Sequence, residues 1–171
     1  LKEDPLDIAP SRDKLVEAMD AVRQLLDVSH KPIGWTRTVV LRDPRPGDMG
    51  WVVMQHGEIY SREYHFNERF EALVAEIAAK YLRNFDPEWE RGWIAEVDGE
   101  RAGSVFVVRR SATVAQLRLL ILAPAARGHG LGGRLVDACI RFARDSGYRK
   151  LVLWTNDVLG SARRIYQAAG F

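Results

Sequence analysis

Apolar positions recur along this chain with two periods, and the change from one to the other marks out its elements. Leu15, Ala18, Met19, Val22, Leu25 and Leu26 lie on one helical face after Ser11, which predicts a helix over 11–27. Residues 29–32 (SHKP) read as a linker. Residues 36–42 (TRTVVLR) read as a strand, closed by the turn-rich 43–47. A short helix is expected over 48–55, stopped at His56-Gly57. Asn67 then caps a longer helix whose stripe is Phe70, Leu73, Val74, Ile77, Tyr81 and Leu82, ended by Asn84, Asp86 and Pro87.

Alternating and continuous apolar runs follow. Residues 92–97 and 101–108 flank Asp98-Gly99, a strong hairpin signal. Residues 113–122 form another strand, and 150–154 (KLVLW) a buried one. Between them Leu131, Leu135, Ala138, Cys139 and Phe142 mark a helix stopped at Gly147, and 157–169 read as a last helix. An antiparallel meander that gives way to a strand–helix–strand crossover predicts a mixed α/β domain.

The stretch 116–133 (QLRLLILAPAARGHGLGG) concentrates the candidate chemistry. An apolar strand runs into a turn holding Gly128, Gly130, Gly132 and Gly133, and a helix follows directly. Such a turn lets backbone N–H groups converge on an anion, and the helix N-terminus adds partial positive charge. The turn lacks the Gly-Lys-Ser or Gly-Lys-Thr of a P-loop. Its spacing and the absence of an acidic residue ending the next strand also make it a weak dinucleotide fingerprint.

Composition narrows this little further. The 171 residues suit one domain or one domain with an appendage, and a net charge of +2 argues for neither nucleic acid nor membrane. No apolar run approaches the length of a membrane span. The single cysteine, Cys139, excludes an intrachain disulfide, points to a reducing, cytoplasmic compartment, and sits on an apolar stripe as a structural thiol. His30, His56, His65 and His129 have no metal-ligand spacing, so no metal is expected. Trp35, Trp51, Trp89, Trp93 and Trp154 read as core.

Two motifs and the order of elements together resemble the GNAT superfamily of N-acetyltransferases. One is Arg127-Gly128-His129-Gly130-Leu131-Gly132 after a strand ending in Leu120-Ile121-Leu122-Ala123-Pro124; the other is 162–171 (ARRIYQAAGF). The resemblance covers about 36–171. It implies a mostly antiparallel central sheet with a splayed parallel strand pair, flanked by helices and preceded here by the extra helix. It implies acetyl-CoA as co-substrate: Arg127, Gly128, His129, Gly130, Leu131, Gly132 and Gly133 around the pyrophosphate, and Leu120, Ile121 and Leu122 pairing with the pantetheine arm. Asn156 would take over a contact made elsewhere in the family by an Asn at the position of Leu159; capping the last helix is compatible with that. The implied reaction is direct attack of an amine on the thioester in a ternary complex, with Tyr166 as general acid.

The chain departs from the family in carrying Gln116 and Arg118, and no carboxylate, where a base is frequent. Glu96 and Asp157 are remote alternatives, as is ordered water. Acceptor specificity is implied for the region 48–66, where Glu58, Tyr60, Glu63 and Tyr64 either bind a cationic amine or form a solvated helix face. Arg118 would suit an acceptor bearing a carboxylate, or is a paired surface residue.

Segments outside the motifs resemble the acetyltransferase half of bacterial proteins that fuse a MarR-type regulator to a GNAT domain. On that reading residues 1–35 are a remnant of a regulator and 36–171 the acetyltransferase domain, cut before its last strands and so expected to pair with another chain or to lose stability. Nucleic acid would be bound only through a domain absent from this chain, a homodimer is open, and a module sensing acyl-CoA or a metabolite is the alternative to an enzyme.

Overall fold

The computed structural model describes residues 37–154 and 160–170. The helix expected over 11–27, its linker, Trp35, Asn156, Asp157 and the start of the last helix lie outside them. In chain order the elements are β1 (Val39–Arg42), α1 (Asp48–Tyr64), α2 (Glu68–Asn84), β2 (Arg91–Val97), β3 (Glu100–Arg109), β4 (Val114–Leu122), a 3-10 turn (Pro124–Ala126), α3 (Leu131–Asp145), β5 (Lys150–Leu153) and α4 (Gly160–Ala168).

The strands form one sheet in the order β1-β2-β3-β4-β5, antiparallel except for the β4–β5 pair. Asp98 and Gly99 both take positive φ (54° and 86°), which is what a two-residue hairpin turn between β2 and β3 requires. The central strands are apolar on both sides because both faces are covered. Ile94 and Phe106 pack with Val52, Val74 and Ala78 of α1 and α2. Trp93, Val105 and Val107 pack with Leu135, Val136 and Cys139 of α3. Each fully buried side chain of this kind contributes about 1.5–3 kcal/mol.

Two expectations fail for reasons of packing. Helix α1 does not stop at His56-Gly57 but runs on to Tyr64. Gly57 lies inside the helix facing α2, where a Cβ would come 2.8 Å from Glu71 Oε2, the end of an exposed side chain that can move aside. His56 and Ile59 are buried on the same helix, and their packing outweighs the glycine's roughly 1 kcal/mol helix cost. Trp154, expected in the core, is 72 % exposed at the end of β5, whereas Trp93 is buried.

The N-terminus of α1 is fixed by a charge network. Arg42 donates to Asp48 (2.6 Å) and Glu96 (2.5 Å), and the Arg45 N–H donates to Asp48 (2.7 Å). Burial would push the Asp48 carboxyl up, but the hydrogen bonds from Arg42 and the Arg45 N–H leave it below its ordinary value.

The feature that positions the site is the edge of β4. It pairs with β5 only from Val114↔Lys150 to Leu117↔Leu153, and then continues to Leu122 while β5 ends. The divergence coincides with a bulge. Between the β3 partners Ser104 and Phe106, β4 shifts register, and Leu119 takes φ 51°. A left-handed leucine costs about 1–2 kcal/mol, and the buried Ser104 hydroxyl holds it by donating to the Leu119 carbonyl (2.9 Å). The splayed parallel pair is therefore present, and Leu120–Leu122 run on past the end of β5.

Candidate active site

Two clefts meet at this overhang. The first, about 280 Å³, is lined by Ile59, Tyr60 and Tyr64 of α1, by Leu120, Ile121 and Leu122, by Arg127 and Gly128, and by Arg164 and Ile165 of α4. The second, about 300 Å³, has His56, Tyr60, Phe66, Phe70, Leu73, Val74 and Ile77 on one side. Leu117, Arg118, Leu119, Leu120, Trp154 and Tyr166 form the other. Tyr60 and Leu120 belong to both, so the clefts adjoin at the middle of the overhang.

The glycine turn closes the end of the first cleft. Gly128 and Gly130 adopt left-handed φ (79° and 74°), and Gly130 is the N-cap of α3 with no side-chain cap hydrogen bond. The first-turn N–H groups of Leu131, Gly132 and Gly133 have no intrahelical acceptor, which is the usual condition of a helix start. These donors, the dipole of the fifteen-residue α3 and the turn backbone form an anion cradle. Gly132 has a different task. A Cβ there would lie 2.6 Å from Ile165 Cδ1 and 3.3 Å from Leu122 Cδ1, so its absence lets α3 pack against α4 and β4. His129 is exposed and turned back on the loop, its Nδ1 2.8 Å from the Arg127 carbonyl.

Arg127 is held by α1: its Nη1 lies 2.9 Å from both carboxylate oxygens of Glu63. The pair is partly exposed, 39 % and 27 % at the two side chains, and such pairs contribute only about 0–1 kcal/mol. An anion in the cradle can therefore take over Arg127 at small cost. Glu63 and Tyr64 thus stand at the first cleft, while Glu58 lines neither.

Tyr166 is buried at 8 % exposure within the second cleft, and its phenol is pushed up from its ordinary value by burial and then by the Tyr60 and Cys139 neighbours. It is protonated throughout the neutral range. Tyr60 is raised to about 12, first by burial and then by Tyr64. Tyr60 stacks on Phe70 (4.5 Å between centroids), with Phe66 4.8 Å from Phe70 and His56 5.7 Å from Tyr60, giving the second cleft an aromatic floor.

Of the base candidates, Glu96 is held by Arg42 near the α1 N-terminus and lines neither cleft. Gln116 is buried with its Nε2 unpartnered among the described residues. His56 was read from the sequence as a helix stop, and its helical phase with Ile59 is the signal that places it inward instead. Its Nδ1 lies 2.8 Å from the Val52 carbonyl, which can only accept, so Nδ1 carries the proton. Burial, only partly offset by that hydrogen bond, lowers its pKa to about 4.

A strand overhang beside a glycine-turn anion cradle, under a mostly antiparallel sheet, defines an acyltransferase-like class of fold and site. The family model described as "Acetyltransferase (GNAT) family" matches residues 53–171. The chain belongs to the GNAT acetyltransferase family. N-acetyltransferase family 8 member 2 of Rattus norvegicus is 34 % identical over 106 residues, covering 59 % of this chain and 45 % of that protein. Spermidine N(1)-acetyltransferase of Escherichia coli K12 is 29 % identical over 140 residues, covering 78 % and 73 %. The chain spans less than half the length of the N-acetyltransferase 8 relatives it matches.

Among solved structures, an acetyltransferase from Streptococcus agalactiae superposes with TM-score 0.63 at 20 % identity, covering 77 % of this chain and 82 % of that one. An aminoglycoside N-acetyltransferase in complex with CoA superposes with TM-score 0.60 at 16 % identity, covering 81 % and 91 %. These two likenesses concern the fold.

Proposed function

We propose that the chain transfers the acetyl group of acetyl-CoA to a primary amine by direct attack within a ternary complex. The observation that supports this best is the overhang of β4: Leu120–Leu122 extend past the last β5 pairing, between an anion cradle and a second cleft holding a protonated phenol. An extended arm rich in amides needs backbone partners, and an overhanging strand supplies them. The turn from Arg127 to Gly133 would hold the pyrophosphate, with Arg127 exchanging Glu63 for phosphate oxygen. That length of strand would place the thioester where the clefts adjoin, near Leu120 and Tyr60.

In the step itself the amine nitrogen bonds to the thioester carbon, the carbon–sulfur bond breaks, and Tyr166 supplies its hydroxyl proton toward the departing sulfur. The proton lost by the ammonium leaves through water, since no carboxylate is found among the described residues lining the second cleft. Tyr166 regains its proton from solvent. Asn156, beyond the end of β5, is kept as a further contact to the co-substrate. Residues 1–35 as a remnant of a MarR-type regulator, and a regulator-attached sensor with little turnover, form the competing reading; the missing strand carboxylate is what favours it.

Thiol release from acetyl-CoA, screened over amines, amino acids and peptides, tests the proposal. Turnover with any of them supports the enzyme; acetyl-CoA binding with no thiol release across the panel contradicts it in favour of the sensor.

A further inference from the structure

The second cleft carries charge of one sign. Its lining includes Arg118 and no aspartate or glutamate among the described residues, and its histidine is kept neutral near pH 7 by burial. Arg118 pairs with no described carboxylate. Among the described residues it lies over the ring of Trp154, with the guanidinium carbon 5.2 Å from the ring centroid. Burial, and then repulsion from Arg110, weaken its hold on the proton. A partly desolvated cation facing an aromatic ring is a receptor for an anion, and a guanidinium binds a carboxylate through two parallel hydrogen bonds.

The rest of the lining is apolar. Phe66, Phe70 and Ile77 form the far wall, with Leu73 (50 % exposed) and Trp154 (72 % exposed) at the mouth. Exposed large apolar groups around a cleft are covered when an apolar body enters it. Arg118 lies two residues before Leu120 on β4, at most about 7 Å along the strand. That separation matches the short distance between an amine presented at Leu120 and a carboxylate one carbon away, because the long Arg118 side chain spans the remainder.

We propose that the acceptor is an α-amino acid with a large apolar side chain. Its carboxylate binds Arg118, its side chain lies against Phe66, Phe70 and Leu73, and its amine faces Leu120. A polyamine is disfavoured, since it would bring added positive charge against Arg118 with no carboxylate in the lining to offset it. This inference rests on the acetyl-transfer reading.

The test is thiol release with phenylalanine, leucine, glycine, glutamate, phenylalaninamide, phenethylamine and spermidine. Phenylalanine or leucine should exceed glycine and glutamate, and phenylalanine should exceed phenylalaninamide and phenethylamine in kcat/KM by roughly 30-fold, the value of a charge-assisted carboxylate contact. Arg118→Gln should collapse the phenylalanine-to-phenethylamine ratio toward one, and Arg118→Lys should restore part of it. A wild-type ratio near one, a preference for spermidine, glycine or glutamate, or a ratio unmoved by Arg118→Gln overturns the proposal while leaving acetyl transfer intact. Absence of thiol release with every amine is the failure of the acetyl-transfer reading itself, and this inference falls with it.

Discussion

The two clefts share Tyr60 and Leu120 but are made from different materials. The first offers mainly backbone, from strand overhang, glycine turn and helix start, between walls from α1 and α4, with Arg127 as its movable charge. The second is built of side chains drawn from α1, α2, β4, the end of β5 and α4. A backbone site recognises what every co-substrate molecule presents, namely amides and a pyrophosphate. A side-chain site can be rewritten residue by residue. On this account one cleft fixes the family and the other fixes the acceptor, and changes confined to one should spare the other.

The largest separation is expected from Tyr166→Phe, which keeps the aromatic packing and removes the proton. Its kcat should fall about 10²-fold or more, with acetyl-CoA affinity by calorimetry unchanged. Turnover at wild-type kcat under saturating substrates would remove the general acid from the account.

Next in size is a pH effect carried by the second cleft's wall. His56 has a folded pKa of about 4 against an ordinary 6.5, so the unfolded chain takes up a proton first as pH falls. The stability His56 confers is complete above pH 6.5 and is lost as pH drops toward 4, by about 3 kcal/mol. In urea titrations the stability difference between wild type and His56→Gln should move against wild type as pH falls through that window. Parallel curves would show that His56 takes up its proton alike in the folded and unfolded chain. Asp48, whose folded pKa is depressed, acts at lower pH: its contribution stands above about 4 and is lost as acid protonates it.

A smaller effect should isolate the first cleft. Gly130→Val puts a β-branched residue at φ 74°, and the strain of about 1–2 kcal/mol should distort the cradle and weaken acetyl-CoA binding about tenfold. Unchanged affinity in calorimetry would mean that the turn does not hold the pyrophosphate. Smallest of all is Glu63→Gln. Releasing Arg127 from a half-exposed pair should tighten acetyl-CoA by no more than about fivefold, and less at high salt. Weaker binding instead would make Glu63 a support for the turn.

The same division explains what could be read from the sequence. Gly128, Gly130 and the strand ending at Leu122 are neighbours in the chain, so the overhang and cradle of the first cleft are written in one contiguous stretch, and its left-handed positions need glycine, whereas its α1 and α4 walls come from elsewhere. The hairpin at Asp98-Gly99 and the Asn67 cap, whose side chain accepts from the Arg69 N–H, are local in the same sense. The second cleft is assembled from residues 56 to 166 by tertiary packing. His56-Gly57 reads as a stop because a glycine inside a helix is indistinguishable, in one sequence, from one that ends it. Leu73 was placed on the buried stripe and Trp154 in the core on hydrophobicity alone, although both stand at the mouth of a cleft. The Arg127–Glu63 pair joins residues far apart in sequence and could not be anticipated from spacing.

The central claim is that the β4 overhang and glycine turn hold acetyl-CoA independently of any acceptor. Calorimetric titration of the chain with acetyl-CoA, with no amine present, tests it most directly. The account requires saturable binding at one site per chain in the micromolar range, weakened by Gly130→Val and unaffected by Arg118→Gln. No heat at high micromolar acetyl-CoA, or binding lost with Arg118 and retained with Val at position 130, would contradict it.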